Sequence, residues 1–268
     1  MRDDALDTLS KVPAITLGFW IIKILATTLG ETGGDAVSMS WLGETTPGAG
    51  AAGLNGYLVG TGVFGLVLVI LVWLQIRSRR LHPWLYWATI IASTTAGTTL
   101  ADFCTRSLGL GYPGGSLLLL SLVLASLFSW HRDLGTVDVN RIDNARSEAF
   151  YWLTITFSQT LGTALGDWVA DGPLGYAGAA LLFGSMLAGI AAAHYLTRVS
   201  PVLLFWTAFI LTRPLGATVG YFLDKPVSRG GLDLSRPLAT AVLAGAIVLL
   251  ILLLPQRPGS NPTNRSTA

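Results

Sequence analysis

Four stretches of the chain align without a gap: FWIIKILATTLGETGGD at 19–35, YWATIIASTTAGTTLAD at 86–102, YWLTITFSQTLGTALGD at 151–167 and FWTAFILTRPLGATVGY at 205–221. In each, an aromatic residue precedes a tryptophan (Trp20, Trp87, Trp152, Trp206), and a glycine follows ten residues later (Gly30, Gly97, Gly162, Gly216). An aspartate falls fifteen residues after the tryptophan in three copies, at Asp35, Asp102 and Asp167. The fourth copy has Tyr221 at that place and Asp224 three residues on. A period carried through the chain marks tandem copies of one structural unit.

What each unit contains follows from hydropathy. The chain is 51% hydrophobic and 12% charged, against about a quarter charged in soluble domains. A membrane-spanning helix needs roughly 20 mostly apolar residues. Eight segments qualify, at about 13–34, 56–76, 84–103, 114–131, 149–169, 175–196, 201–223 and 237–254. The expected fold is therefore all-α and polytopic: eight transmembrane helices from four parallel two-helix repeats, in one integral membrane domain over 1–268. The repeats run about 11–77, 83–132, 148–198 and 200–255, with a polar tail at 256–268. The longest connections are 35–55, rich in Gly, Ala and Ser/Thr, and the polar 132–148. No basic run resembles a nucleic-acid arm, so lipid and a small ion or solute are the expected partners. The one cysteine, Cys104, excludes an intramolecular disulfide.

On this Trp–Gly–Asp spacing the chain resembles the bacterial membrane proteins built from four copies of a repeat of unknown function, each copy two membrane helices with a characteristic tryptophan. The resemblance implies the architecture and no settled biochemistry. Loss of the in-register aspartate makes any Asp-dependent role less secure in the fourth repeat.

Lysine and arginine placement sets the orientation. With the N-terminus inside, eleven basic residues, from Arg2 and Lys11 to Arg257 and Arg265, fall on the cytoplasmic side. Four, Arg106, Lys225, Arg229 and Arg236, fall opposite, and Lys23 and Arg213 lie within the membrane. Both termini are expected in the cytoplasm, in a bacterial inner membrane. Two helices per unit give all four copies one orientation about an axis along the membrane normal. Fifteen helical residues rise about 22 Å, so the tryptophans lie near the inner face and the aspartates near the outer. An interfacial belt or helix packing is the plain role of those tryptophans.

The first helix carries Lys23, Thr27, Gly30, Glu31 and Gly34 on one face. The equivalent stripe holds Thr94, Gly97 and Thr98 in the second repeat, Gln159, Gly162 and Thr163 in the third, and Arg213 and Gly216 in the fourth. Close helix packing explains the small residues and threonines. It does not explain Lys23, Glu31, Gln159 and Arg213, because a charge at membrane depth costs about 2.5–3.5 kcal/mol and turns toward a bundle interior or wet cavity. Four such stripes surround a central polar site, with the apolar even helices outside. The charges there serve either a substrate or a structural ion-pair network.

Near helix C-termini, Asp35, Asp102 and Asp167 oppose the macrodipole and call for a compensating donor, arginine or cation. Counting Glu31 with them gives four intramembrane acids against two bases, beside Thr27, Thr94, Thr98, Thr163 and Gln159. Such oxygen donors suit a hard divalent cation held by Glu31, Asp35, Asp102 and Asp167. Protonatable Glu31 would support proton coupling instead. The catalytic patterns of hydrolases, zinc enzymes and phosphate-cradling loops do not occur at credible spacing, so the chain reads as no enzyme and no resident cofactor is expected. The leading expectation is a transporter or exporter of a small solute, a divalent cation or a proton-coupled ion. The alternatives are a non-transporting scaffold or sensor with structural ion pairs, or an anion carrier using Lys23 and Arg213.

Overall fold

The structure, a computed structural model, describes residues 9–42, 55–142 and 144–260, without the side chains of Leu9, Arg229 and Ser260. Arg2 and Arg265, the middle of the 35–55 connection and the last eight residues of the tail lie outside the described residues.

Eight long helices dominate: α1 (Leu17–Asp35), α2 (Gly56–Arg77), α3 (Pro83–Asp102), α4 (Gly111–Leu134), α5 (Ala145–Ala170), α6 (Gly175–Leu196), α7 (Pro201–Asp224) and α8 (Arg236–Leu253). Their starts follow local chemistry. Thr16 accepts from the Phe19 N–H at the head of α1, Asn55 caps α2, and Asn144 with Ser147 forms a capping box on α5. Pro83 and Pro201 occupy first turns, where a missing N–H costs nothing. Gly135, in the left-handed region, ends α4. The first helix begins four residues later than hydropathy places it. Leu9–Pro13 (β1) instead pairs antiparallel with Pro258–Ser260 (β2), tying the segment before α1 to the segment after α8.

The odd helices form a closed ring in which α1 packs on α3, α3 on α5, α5 on α7 and α7 on α1. Each even helix packs on the odd helix of the following repeat: α2 on α3, α4 on α5, α6 on α7, and α8 around the closure on α1. Five helices, α2, α4, α6, α7 and α8, are long and apolar enough to cross a membrane. Within their most apolar windows the even helices are only 11–28% buried, against 56% for α7, so the even set forms the outer layer. Helices α1, α3 and α5 fall short of that apolarity because threonine, glycine and acids occupy the surfaces they turn to one another.

The repeated glycines set the ring's spacing. Gly30 faces Thr94, Gly97 faces Gln159 and the Thr160 backbone, Gly162 faces Arg213, and Gly216 faces Thr27. Each glycine thus meets, on the next odd helix, the residue seven positions after that helix's tryptophan. Even a methyl group at these places would press into the neighbour. The pattern closes after four steps, so the repeats are related by a pseudo-fourfold axis.

At one end the ring is sealed by aromatics. Phe19 lies 5.4 Å from Trp87 between ring centroids, Trp20 5.7 Å from Phe205, and Tyr86 5.7 Å from Trp152. Tyr86 and Tyr151 share a 2.6 Å hydroxyl hydrogen bond. Trp87, Trp152 and Trp206 are buried, and Trp206 Nε1 donates to the Val137 carbonyl at 2.9 Å. Three of the four repeat tryptophans are therefore core residues of helix packing, and Trp20 is half-buried against the same cluster. Because the N-terminal ends of all four odd helices meet in this cluster, these helices are parallel.

Candidate functional site: a charged axis inside the ring

Beyond the aromatic seal, side chains converge in layers. The first holds Lys23, Ile90, Ile155 and Phe209, three positions after each tryptophan, all fully buried. Lys23 Nζ lies 4.1 Å from the centre of the Phe209 ring and donates to Gln159 Oε1 at 3.5 Å. Helices α1 and α5 are opposite members of the ring, so this contact crosses the axis. Among the described residues no carboxylate lies within 4.0 Å of the Lys23 ammonium.

The next layer holds Thr27, Thr94, Gln159 and Arg213, again buried. Thr27 Oγ1 is within hydrogen-bond reach of the Thr212 carbonyl at 3.1 Å, closing the seam between first and last repeats. Arg213 sits beside Pro214, whose ring removes one helical N–H from α7. Its guanidinium points toward the layer of Glu31, Thr98, Thr163 and Ala217. Nη2 donates to Glu31 Oε2 at 2.7 Å and to Thr98 Oγ1 at 2.5 Å. Thr98 is on α3, opposite α7, so this contact also crosses the axis. Arg213 and Glu31 are respectively 0% and 1% exposed. A buried pair of this kind is tolerable only when further hydrogen bonds satisfy it. Thr163 stays in the same layer and bonds back to the Gln159 carbonyl at 3.3 Å.

The aspartates form the far end. Arg106, in the π-helical turn after α3, reaches back so that Nε lies 2.9 Å from Asp102 Oδ1 and Nη2 3.3 Å from Asp167 Oδ2. Tyr221 fills the missing fourth aspartate position, and its hydroxyl donates to Asp167 Oδ1. Asp35 has Lys225 Nζ at 3.8 Å and Arg236 Nε at 4.0 Å, and Arg236 also bonds Asp224 at 2.8 Å. The compensation that the helix-end carboxylates require comes from basic residues assigned by hydropathy to loops. With them the balance of four acids against two bases disappears.

All candidate residues are therefore buried in one column, but they do not form one cluster. Glu31 is bound to Arg213, while Asp35, at the level of the other two aspartates, has its own cations in Lys225 and Arg236 and stands outside the Asp102–Arg106–Asp167 bridge. Among the described residues no group of three or more His, Cys, Asp and Glu is placed to hold a metal ion. Sequence reasoning placed Arg106, Lys225 and Arg236 in loops and Tyr221 at the missing aspartate position, and counted none of them in the site. Arg106, four residues after Asp102, carried the one available signal, an i,i+4 pairing.

Against this geometry, the family described as "Repeat of Unknown Function (DUF347)" matches four times in tandem, at residues 18–81, 85–135, 150–200 and 204–257. The chain belongs to that family. Each DUF347 repeat starts within two residues of an aromatic–tryptophan pair, and its end takes in the even helix that covers the next repeat. No curated protein and no solved structure matches the chain.

Proposed function

We propose that the protein is a membrane transporter of a small charged solute and that the axis of the inner ring is its path. In this reading all eight helices cross the cytoplasmic membrane, with both termini and the aromatic seal on the cytoplasmic side and the aspartate end outside. The observation that carries it is the placement of Lys23, Arg213 and Glu31 across the axis of a closed ring, between two seals of different chemistry. Ionisable residues inside a bundle are costly, and where they line an interior they mark ion and substrate pathways. A generic repeat does not need them, because the equivalent positions elsewhere are Ile, Thr, Gln, Phe and Ala. The aromatic seal and the Arg106 bridge then act as the two gates of an occluded state.

The test is flux in proteoliposomes against a panel of labelled small anions, zwitterions and divalent cations. At least one solute should cross faster than in protein-free vesicles, and Arg213→Ala should abolish that flux. No protein-dependent flux for any of the three classes would overturn the proposal. The scaffold reading is favoured by one observation: Arg213, Arg106 and Arg236 each have a carboxylate partner. It requires Arg213→Ala to lower thermal stability and alter no flux.

A further inference from the structure

We infer that the solute is a small monovalent oxyanion, of carboxylate or nitrate type, bound at the level of Gln159 and Arg213 with Lys23 as its counter-charge. This deepens the transport reading by naming the chemistry that the axis would recognise.

Four observations meet at that level. Lys23 is the one charge on the axis with no opposite partner among the described residues, since Arg213 is neutralised by Glu31. A fully buried ammonium is tolerated when an anion accompanies it. Gln159 turns its oxygen to Lys23 and leaves Nε2 without a hydrogen-bond partner in the protein. Arg213 spends Nη1 and Nη2 on Thr27, Glu31 and Thr98, and leaves Nε unpartnered. Thr94 Oγ1, in the same layer, is also unpartnered.

These groups come from all four helices of the ring. Three are obligate donors, and the threonine hydroxyl is able to donate. Buried donors are nearly always satisfied, so this level calls for an acceptor-rich, donor-poor group. Divalent cations fail on sign, and sugars fail because they bring as many donors as acceptors. One uncompensated positive charge matches one negative charge. The layers on either side are close-packed side chains, which keeps the ligand to a few heavy atoms. Planar oxygens suit a guanidinium edge and an amide approaching from different sides.

The experiment is thermal unfolding of the purified full-length protein in detergent, titrated with sodium formate, acetate or nitrate over a sodium gluconate baseline. At least one small oxyanion should raise the midpoint saturably. Lys23→Met should weaken its apparent affinity at least tenfold, Gln159→Leu should weaken it too, and Lys23→Arg should restore part of it. The inference is overturned if no small oxyanion shifts the midpoint, or if Lys23→Met leaves the affinity unchanged. A midpoint raised only by magnesium, calcium or manganese chloride also overturns it. Because the two neutral variants remove a buried charge or amide for apolar bulk, Lys23→Arg guards against reading misfolding as lost binding. Proteoliposomes separate this inference from the transport reading. Oxyanion binding without flux sinks transport and keeps the site, whereas cation flux indifferent to Lys23→Met keeps transport and sinks the anion.

Discussion

The phenol of Tyr221 donates a hydrogen bond to the carboxylate of Asp167, from the place where the three other repeats carry an aspartate. The fourth repeat has thus exchanged an acceptor for a donor. A ring of four buried carboxylates would concentrate like charge at one level. With three aspartates, one phenol and the Arg106 guanidinium, neighbours attract instead.

Tyr221→Phe should therefore lower stability by about 1–3 kcal/mol, the usual result of stranding a buried acceptor. Tyr221→Asp, which restores the repeat consensus, should be worse. The unfolding midpoint in detergent orders the three proteins, and an unchanged midpoint in Tyr221→Asp would refute the like-charge argument.

At the closest ring contacts the backbone itself is the constraint. A methyl group on Gly162 meets the Arg213 side chain and Pro214 Cδ, whereas Gly184 on α6 has nothing within 4 Å. Gly162→Ala should destabilise by about 1–3 kcal/mol through overpacking. Gly184→Ala should be neutral or slightly stabilising, since alanine favours the helix. Thermal scans of both variants side by side check this.

Arg106 bridges two aspartates while remaining 26% exposed. Arg106→Gln strands the buried Asp102 carboxylate and leaves Asp167 with Tyr221 alone, and removing one partner of a buried pair costs about 3–5 kcal/mol before any discount for the exposed side. Adding Asp102→Asn to Arg106→Gln should recover part of the loss, and a double-mutant cycle on denaturation midpoints measures the coupling.

The hydroxyls of Thr32 on α1 and Thr240 on α8 lie 3.0 Å apart. In a Cys104→Ser background, Thr32→Cys with Thr240→Cys should cross-link under mild oxidation. After proteolysis in the 132–148 connection, the two halves should migrate as one species until reduced. Separation without reductant would contradict the packing of the last helix on the first repeat.

How far these relationships were legible in the sequence depends on their range. The tryptophan–glycine register and the eight helices are local patterns and were readable to within a few residues. The stripe from Lys23 to Gly34 correctly named the buried face of α1, because polar residues in a hydrophobic run have one tolerable direction. The return of Lys225 and Arg236 onto Asp35 was not readable, since hydropathy assigns a cation after a helix to water, and Arg106 offered only its i,i+4 spacing from Asp102. The burial of Trp87, Trp152 and Trp206 decides between the two roles the sequence left open, because an indole suits a membrane interface and a packed core equally well. That α2 covers α3 has no signature in either helix, because apolar surfaces are interchangeable as sequence.

The passing of each even helix to the following repeat bears on how the protein is made. Repeats that covered their own first helix would be complete as soon as each was synthesised. Here α1 is made before the other seven helices, with Lys23 and Glu31 on board, yet the helix that shields its outer side is α8. The Arg213 that pairs with Glu31 is more than 180 residues downstream. The earliest of the eight helices is thus the last to be enclosed, and synthesis interrupted before α7 and α8 leaves its charges without a home. Biogenesis of such a ring hinges on what shelters that first helix until the chain is released.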